Sequence, residues 1–335
     1  MEWKNGFSAA YYAYIVDPAT WRETTKIQLT GGKISRTASG LRDSADLDCV
    51  SYPQGTEHYL RVYMDTKQDG TGAHVPLFTG LASSPAQDFD GIYETNTVKC
   101  YSVLKGAADI LLDRGFYIPA EANGATAIKT LLEVIPAPVI TEEDAPTLTN
   151  AIIAESGETH ASMVDKILMA INWRLRIDGA GTIHIEKQPM DSVAQLDPIE
   201  NDVIEPSISI EYDWYSAPNV FRAIQQDLSA TARDDDPESP LSTVSRGREV
   251  WAEETSCKLN IGESISQYAL RRLKELQAVA KTAEYTRRFN PNIYVGDLIR
   301  LRYPEQGLEG IFKVKSQSIT IGSGSPTEEE VEAWA

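Results

Sequence analysis

Hydrophobic and polar residues alternate through the first hundred positions of the chain. Ile27 and Leu29 alternate with Lys26, Gln28 and Thr30. Ala45, Leu47 and Cys49 alternate with Asp46 and Asp48, and Leu60, Val62 and Met64 with Tyr59, Arg61 and Tyr63. A period of two sets one face of a strand into a core and the other towards solvent or a neighbour. Gly31-Gly32, Asp69-Gly70 and Asp90-Gly91 supply turns between the runs. Short antiparallel strands at this spacing predict a small barrel or sandwich over residues 1–102.

The period then changes. Val103, Ala107, Ile110 and Leu111 form one stripe of a helix over Val103–Leu112. A second helix is predicted over Thr126–Val134, stopped by Pro136 and Pro138, with a proline- and acid-rich linker over Ile135–Pro146. Together these make a small helical or mixed module over 103–146. A third helix is predicted over Ser162–Asn172, with Ser162 as its cap and Asp165 closing an approximate capping box. Strands at Trp173–Ile177 and Thr182–Lys187, turning around Asp178-Gly179, complete an α+β module over 147–206.

Strand periodicity returns from Ser207. Ile208, Ile210 and Tyr212 alternate with Ser209 and Glu211, and further strands are predicted at Val220–Gln225, Thr282–Phe289, Leu298–Tyr303 and Gly310–Ile321. The polar stretch Thr231–Gly247 reads as an exposed loop. A helix over 264–279 carries the stripe Ile265, Ala269, Leu273, Leu276 and Ala280. The acidic run Glu328–Glu332 reads as a frayed tail.

Composition narrows the function. The chain has 335 residues, room for two or three domains, and is 42% hydrophobic, enough for buried cores. Its net charge of -18 disfavours ordinary nucleic-acid binding, because phosphates are repelled. Such a surface serves solubility, or a wall past which DNA slides without sticking. Cys49, Cys100 and Cys257 are far apart and form no CxxC pair, so neither a disulfide framework nor a zinc site is expected; synthesis in a reducing cytoplasm fits. The start, Met1-Glu2-Trp3-Lys4-Asn5-Gly6, lacks a signal pattern, and no apolar stretch reaches the ~20 residues of a spanning helix, so no direct membrane insertion is expected.

No catalytic constellation emerges. His58, His74, His160 and His184 have no metal-ligand spacing; His184 reads as a solvent-side strand residue and His160 as a loop residue. There is no G-x-S-x-G elbow and no phosphate loop, and Gly322-Ser323-Gly324-Ser325 reads as a flexible exit from a strand. Asp234-Asp235-Asp236 lacks the spacing of a calcium loop and reads as a solvated turn. Hence no catalytic, cofactor-binding or metal residue is assigned. The remaining candidates are aromatic: Tyr11, Tyr12 and Tyr14, and Trp214 and Tyr215, as interface anchors or as core residues.

Several segments, taken in order, resemble the baseplate hub and tail-associated proteins of phage tails, a family related to the hub half of type VI secretion spikes. Gly40-Leu41-Arg42-Asp43-Ser44-Ala45-Asp46-Leu47-Asp48-Cys49 is similar to the family's strand of small and acidic residues. Tyr59–Tyr63 and Leu77–Ala82, with its Phe78-Thr79-Gly80 turn, resemble the next strands. Tyr294–Leu301 resembles the family's Gly-Asp turn into a strand, and Gly310–Ile319 its closing strand.

The resemblance implies a fold class of mixed α+β, mainly β. Two small antiparallel β-barrel, tube-forming domains at 1–102 and 207–335 would flank two small α/β modules. It implies a homotrimer whose six barrels form a ring that mates with a six-fold tail tube, leaving no free sheet edge. Partners would be the tail tube or distal tail protein and a central spike, tip or tape-measure protein, with DNA only in passage. The location would be the virion tail, after assembly in the host cytoplasm. Asp46 and Asp48 would face the lumen, or form an ordinary solvated strand face. Three other roles stand beside this one. A cell-wall-cleaving enzyme is one, for which the chain leaves no room after its last strand. The others are a receptor- or carbohydrate-binding module in the middle and the hub of an injection system without a genome.

Overall fold

The computed structural model describes every residue except 1, 54, 92, 197–202, 226, 256, 258, 260–262, 279–280 and 335. Six strands come first: β1 (Ser8–Val16), β2 (Glu23–Thr37), β3 (Asp43–Cys49), β4 (His58–Gln68), β5 (Thr71–Asp90) and β6 (Tyr93–Ser102). They pair antiparallel in the order β1-β4-β5-β6-β3-β2, and β1 also pairs with β2, so the pairings return to their start. Ile34, Leu47, Leu60, Met64, Phe78 and Val98 lie in the core this circuit encloses.

The alternation expected of β4 fails on its outer face. Arg61 and Tyr63 are buried along with Leu60, Val62 and Met64. Both reach Glu23: Arg61 Nη1 at 3.1 Å and the Tyr63 hydroxyl at 2.5 Å from Glu23 Oε1. Arg61 Nε also donates to Thr79 Oγ1, which in turn donates to the Gly179 carbonyl at 2.8 Å. A distant turn therefore lies over a face that periodicity assigns to solvent.

That turn belongs to the middle of the chain. Here lie α1 (Lys105–Asp109), β7 (Tyr117–Ile118), α2 (Gly124–Leu131), β8 (Val139–Thr141), β9 (Ile152–Ile153), α3 (His160–Ile171), β10 (Trp173–Ile177) and β11 (Ile183–Lys187). One core runs through them, including Leu104, Ile128, Leu132, Leu148, Ile167 and Ile185. The first helix is shorter than its stripe, because Ile110 is extended and Leu111 bridges to Thr159. The second begins earlier, because Asn123 Oδ1 accepts from Thr126 N at 3.0 Å and caps it. The third starts at His160: Thr159 is its cap, and Ser162 is the third residue, returning a bond to the Thr159 backbone. Asp165 is not part of that box. Val139–Thr141, expected in a linker, pairs in parallel with β11.

The rest of the chain comprises β12 (Ser192–Leu196), β13 (Val203–Tyr212), β14 (Val220–Gln225), β15 (Leu228–Arg233), α4 (Thr243–Arg246), β16 (Trp251–Thr255), α5 (Ile265–Ala278), β17 (Lys281–Arg287), β18 (Leu298–Tyr303), β19 (Leu308–Thr320) and β20 (Thr327–Ala333). β15 and α4 occupy parts of the expected polar loop. Val279 and Ala280 of the expected helix lie outside the described residues. β14, β15 and β16 form a separate sheet covered by α5, with Phe221, Tyr268 and Leu273 between them. The other strands run β13-β17-β20-β19, with β18 on β19 and β12 parallel to β18. β19 also pairs with β2, Ile319 opposite Ile34, so both ends of the chain share one 12-stranded sheet. The class is mainly β with few helices.

The acidic run at the end does not fray. Glu328–Glu332 lies inside β20, between β17 and β19. Glu329 is fully buried and meets Arg287 at 2.7 and 2.9 Å, with the Tyr285 hydroxyl at 2.6 Å and Gln317 Nε2 at 2.8 Å. Burial would raise its carboxyl, but Arg287, then the Tyr285 and Gln317 hydrogen bonds, outweigh burial and hold it below the usual range.

Candidate interaction surfaces

Asp46 and Asp48 stand exposed on one face of β3, flanked by the buried Ala45, Leu47 and Cys49. Their face is mixed in sign rather than purely acidic. Asp46 sits opposite Lys33 on β2 and Lys99 on β6, and Asp48 accepts from the Thr97 hydroxyl at 3.3 Å. Lys33 also pairs with Glu328 at 2.9 Å, and Lys315 with Glu330 at 2.6 Å. The charged row thus continues from the first six strands onto β19 and β20. Lys33, Lys99 and Lys315 were not singled out from sequence; their cross-strand positions depend on a register that one strand alone does not give.

The N-terminal tyrosines are half-buried and mutually packed. Tyr12 and Tyr14 meet edge to face at 5.7 Å, and Tyr63 stacks on His74 at 4.3 Å. The Tyr12 hydroxyl donates to Asp65 Oδ2 at 2.8 Å, and Lys26 Nζ lies 3.7 Å from the Tyr12 ring centre. Burial and the Asp65 carboxylate push the Tyr12 hydroxyl upward. Burial acts against ionised Asp65, but the His74 and Tyr12 hydrogen bonds prevail and hold it below its ordinary range. Tyr11 points elsewhere, its hydroxyl donating to the Gly322 carbonyl at 2.7 Å.

Trp214 and Tyr215 are held out to solvent, 54% and 84% exposed, after β13. Their turn is fastened from below. Asp213 Oδ1 accepts from Ser216 N at 3.1 Å, and the Arg246 guanidinium donates to the carbonyls of Trp214, Tyr215 and Ala217. Arg248 donates to the Tyr215 carbonyl and lies 5.5 Å from its ring centre. Exposed aromatics on a fixed backbone lose little freedom on contact, which suits an anchor. The structure brings neither tyrosine pair nor aspartate pair to this turn.

The histidines serve local structure. His184 Nε2 meets Asp178 Oδ2 at 2.9 Å beside the Gly179 turn, and His160, the first residue of α3, meets the Leu131 carbonyl through Nδ1 at 2.9 Å. Cys49, Cys100 and Cys257 are free and buried, and burial raises each thiol. Asp234 and Asp235 accept from Ser239 and Thr243 within their own turn. Among the described residues, no group of three or more His, Cys, Asp and Glu is gathered as for a metal, and no helix is long and apolar enough to cross a membrane.

Besides Arg42–Asp165 at 2.5 Å, two contacts that fasten the middle unit to the strands involve residues of the segments that carry the resemblance. Thr79 holds the Gly179 carbonyl; Phe78-Thr79-Gly80, expected as a turn, lies inside β5, paired with β4. Asp297, of the Gly-Asp turn, is buried and accepts from Arg174 at 2.8 Å and from Tyr294 N at 2.8 Å. Gly296 takes a positive φ of 86°, and a side chain there would approach Arg174 Nη1 to 3.3 Å.

No protein-family model and no curated protein sequence matches the chain. Solved structures do. A tail protein from Neisseria meningitidis superposes with a TM-score of 0.70 at 14% identity, covering 97% of this chain and 96% of that one. The 43 kDa tail protein of prophage MuSo2 from Shewanella oneidensis gives 0.68 at 14%, covering 97% and 98%. A chain of the Francisella PdpA–VgrG complex gives 0.56 at 7%, covering 98% of this chain and 58% of that one. Over nearly its whole length, this chain has the fold of prophage tail proteins.

Proposed function

We propose that this chain is a structural baseplate hub or tail-tip protein that caps the distal end of a tail tube. The observation that carries the reading is the end-to-end fold match to two tail proteins. The strand pairings support its geometry: each end of the chain supplies six strands, and β2–β19 joins them side by side. In this reading the two tube-type barrels are 1–102 and 207–335, the second completed by β12 from the preceding module, with module 103–146 and the rest of 147–206 outside the wall. Three copies present six such units to a six-fold tube, and the ring leaves a channel for genome passage.

Asp46 and Asp48 then line the channel, their charge tempered by Lys33 and Lys99. Tyr12, Tyr14, Trp214 and Tyr215 are contact residues between copies or towards the tail tube or distal tail protein; a spike, tip or tape-measure end fills the centre. The chain acts by geometry and is no enzyme, and its place is the virion tail. The likeness to a chain of the PdpA–VgrG complex favours a second reading, the hub of an injection system that carries no genome. Sedimentation of the purified chain tests the shared part. A species of three 37.0 kDa subunits is expected. A monomer that persists at high concentration, with tube protein present, contradicts it.

A further inference from the structure

We infer that the cavity where the middle unit meets both strand sets is a binding site for a small oxyanion. It has a volume of about 90 Å³ and is lined by Arg36, Arg42, Asp43, Arg174, Arg176, Tyr294 and Lys313, among others. By the ~30 Å³ that a water occupies in the liquid, it holds about three waters, or one ion the size of sulfate. It shares Arg174, Arg176, Gln188 and Tyr294 with a wider cleft of about 560 Å³.

The charge around it runs against the composition of the chain. Five cations line the cavity in a protein of net charge -18. Arg42 pairs with Asp165 at 2.5 Å, Arg174 with Glu186 and Asp297 at 2.6 and 2.8 Å, and Arg176 with Glu186 at 3.0 Å. Among the described residues Arg36 and Lys313 make no close ion pair, but Arg36 faces Asp43 across β2–β3 and Lys313 faces Glu332 across β19–β20. Arg36 donates to the Leu77 carbonyl at 2.6 Å, and Lys313 lies 5.1 Å from the Trp334 ring centre. Asp165, Glu186, Asp297 and Glu332 answer four of the five cations, so with Asp43 protonated one positive charge is left for a bound anion to neutralise.

The groups are also fixed in place. The guanidinium groups of Arg36 and Arg176 lie 4.7 and 5.2 Å from the centre of the same ring, Tyr294, which orients both planar forks. Arg42 Nε, Arg174 Nε and Asp43 Oδ1 are buried without a hydrogen-bond partner. Burial pushes the Asp43 carboxyl up to about 7, against the pull of Ser102, Arg36 and Arg42. The groups that act on it are Ser102, Arg36 and Arg42; Arg174, Arg176, Tyr294 and Lys313 line the same cavity, and Asp165 pairs with Arg42. When protonated, Asp43 is a donor to an oxyanion; when ionised, it repels one. Affinity is therefore highest below pH 7 and falls as pH rises through it.

The test is calorimetric titration of the full chain with sodium sulfate, ionic strength held with sodium chloride. Sulfate does not titrate in this range, so any pH dependence belongs to the protein. Saturable binding is expected, weakened about tenfold or more in Arg176→Gln. It should weaken in the wild-type chain between about pH 6 and about pH 8.5 and stay level in the near-isosteric Asp43→Asn. If Arg176→Gln loses its fold by circular dichroism, Lys313→Gln, at a half-buried side chain, takes its place. Acetate separates the sources: competition with sulfate assigns the site to carboxylate-ended ligands as well, and no competition restricts it to tetrahedral ions. No saturable heat, or binding unchanged in these variants, overturns the inference.

Discussion

Glu329 shows what a single residue contributes. Its carboxylate is buried but met by Arg287, Tyr285 and Gln317, so removing it strands a buried guanidinium. Glu329→Ala should cost about 3–5 kcal/mol in denaturant unfolding, the usual penalty for breaking a buried pair. The pH dependence follows from the lowered pKa. A depressed carboxyl contributes fully above the ordinary glutamate range, about 4.3, and its contribution is lost as pH falls through the folded value. A stability profile that is flat in acid for wild type would contradict this. Asp43 has the opposite sign. Raised to about 7, it favours the folded state at low pH, and that share is lost as pH rises towards 7; Asp43→Asn should be the more stable protein above it. Neither role was legible from sequence. Thr327, Glu329 and Val331 do alternate with Glu328, Glu330 and Glu332, but four glutamates in five positions read as solvent, and period lost to charge. The positions of Arg287 and Tyr285 on β17 and of Gln317 on β19 explain a buried acid there.

Elements were more legible than their neighbours. The strands Trp173–Ile177 and Ile183–Lys187 and the helix Ile265–Ala278 fall close to where periodicity puts them, because local patterns of 2 and 3.6 are written in the residues themselves. Where such an element docks is not. The β10–β11 turn lies so close to β5 that a side chain on Gly179 would meet the Pro76 carbonyl oxygen at 1.9 Å. Gly179→Ala should therefore lift the hairpin, lowering the melting temperature and speeding amide exchange in Arg61 and Thr79, which lie under it. Unchanged exchange there would show that the contact is not tight. The resemblance offers a clue: Thr79 and Asp297 both lie in segments that carry it, and both help fasten the middle unit. Short elements such as Val139–Thr141 gave no signal, since three residues are too few for a period and the partner strand lies far along the chain.

At the scale of the molecule, pairing between the two ends of the chain was beyond the reach of periodicity, because nothing in residues 33–37 names residues 316–320 as partners. The resemblance to tail proteins is borne out by the fold match, but it names no pairing between the two ends either. The proposed assembly then makes a prediction about surface residues. Trp214→Ala with Tyr215→Ala removes two exposed rings, so folding stability should move by no more than roughly 0.5 kcal/mol, while self-association at fixed concentration weakens. Equal association in the double variant would remove this turn from the contact. The central claim, a ring of three copies around a channel, is tested most directly by a cryo-electron microscopy reconstruction of the purified chain. The account predicts a three-fold ring of six similar strand units, with Asp46 and Asp48 facing the pore. Single particles without a ring, or a ring with both aspartates on its outer surface, would contradict it.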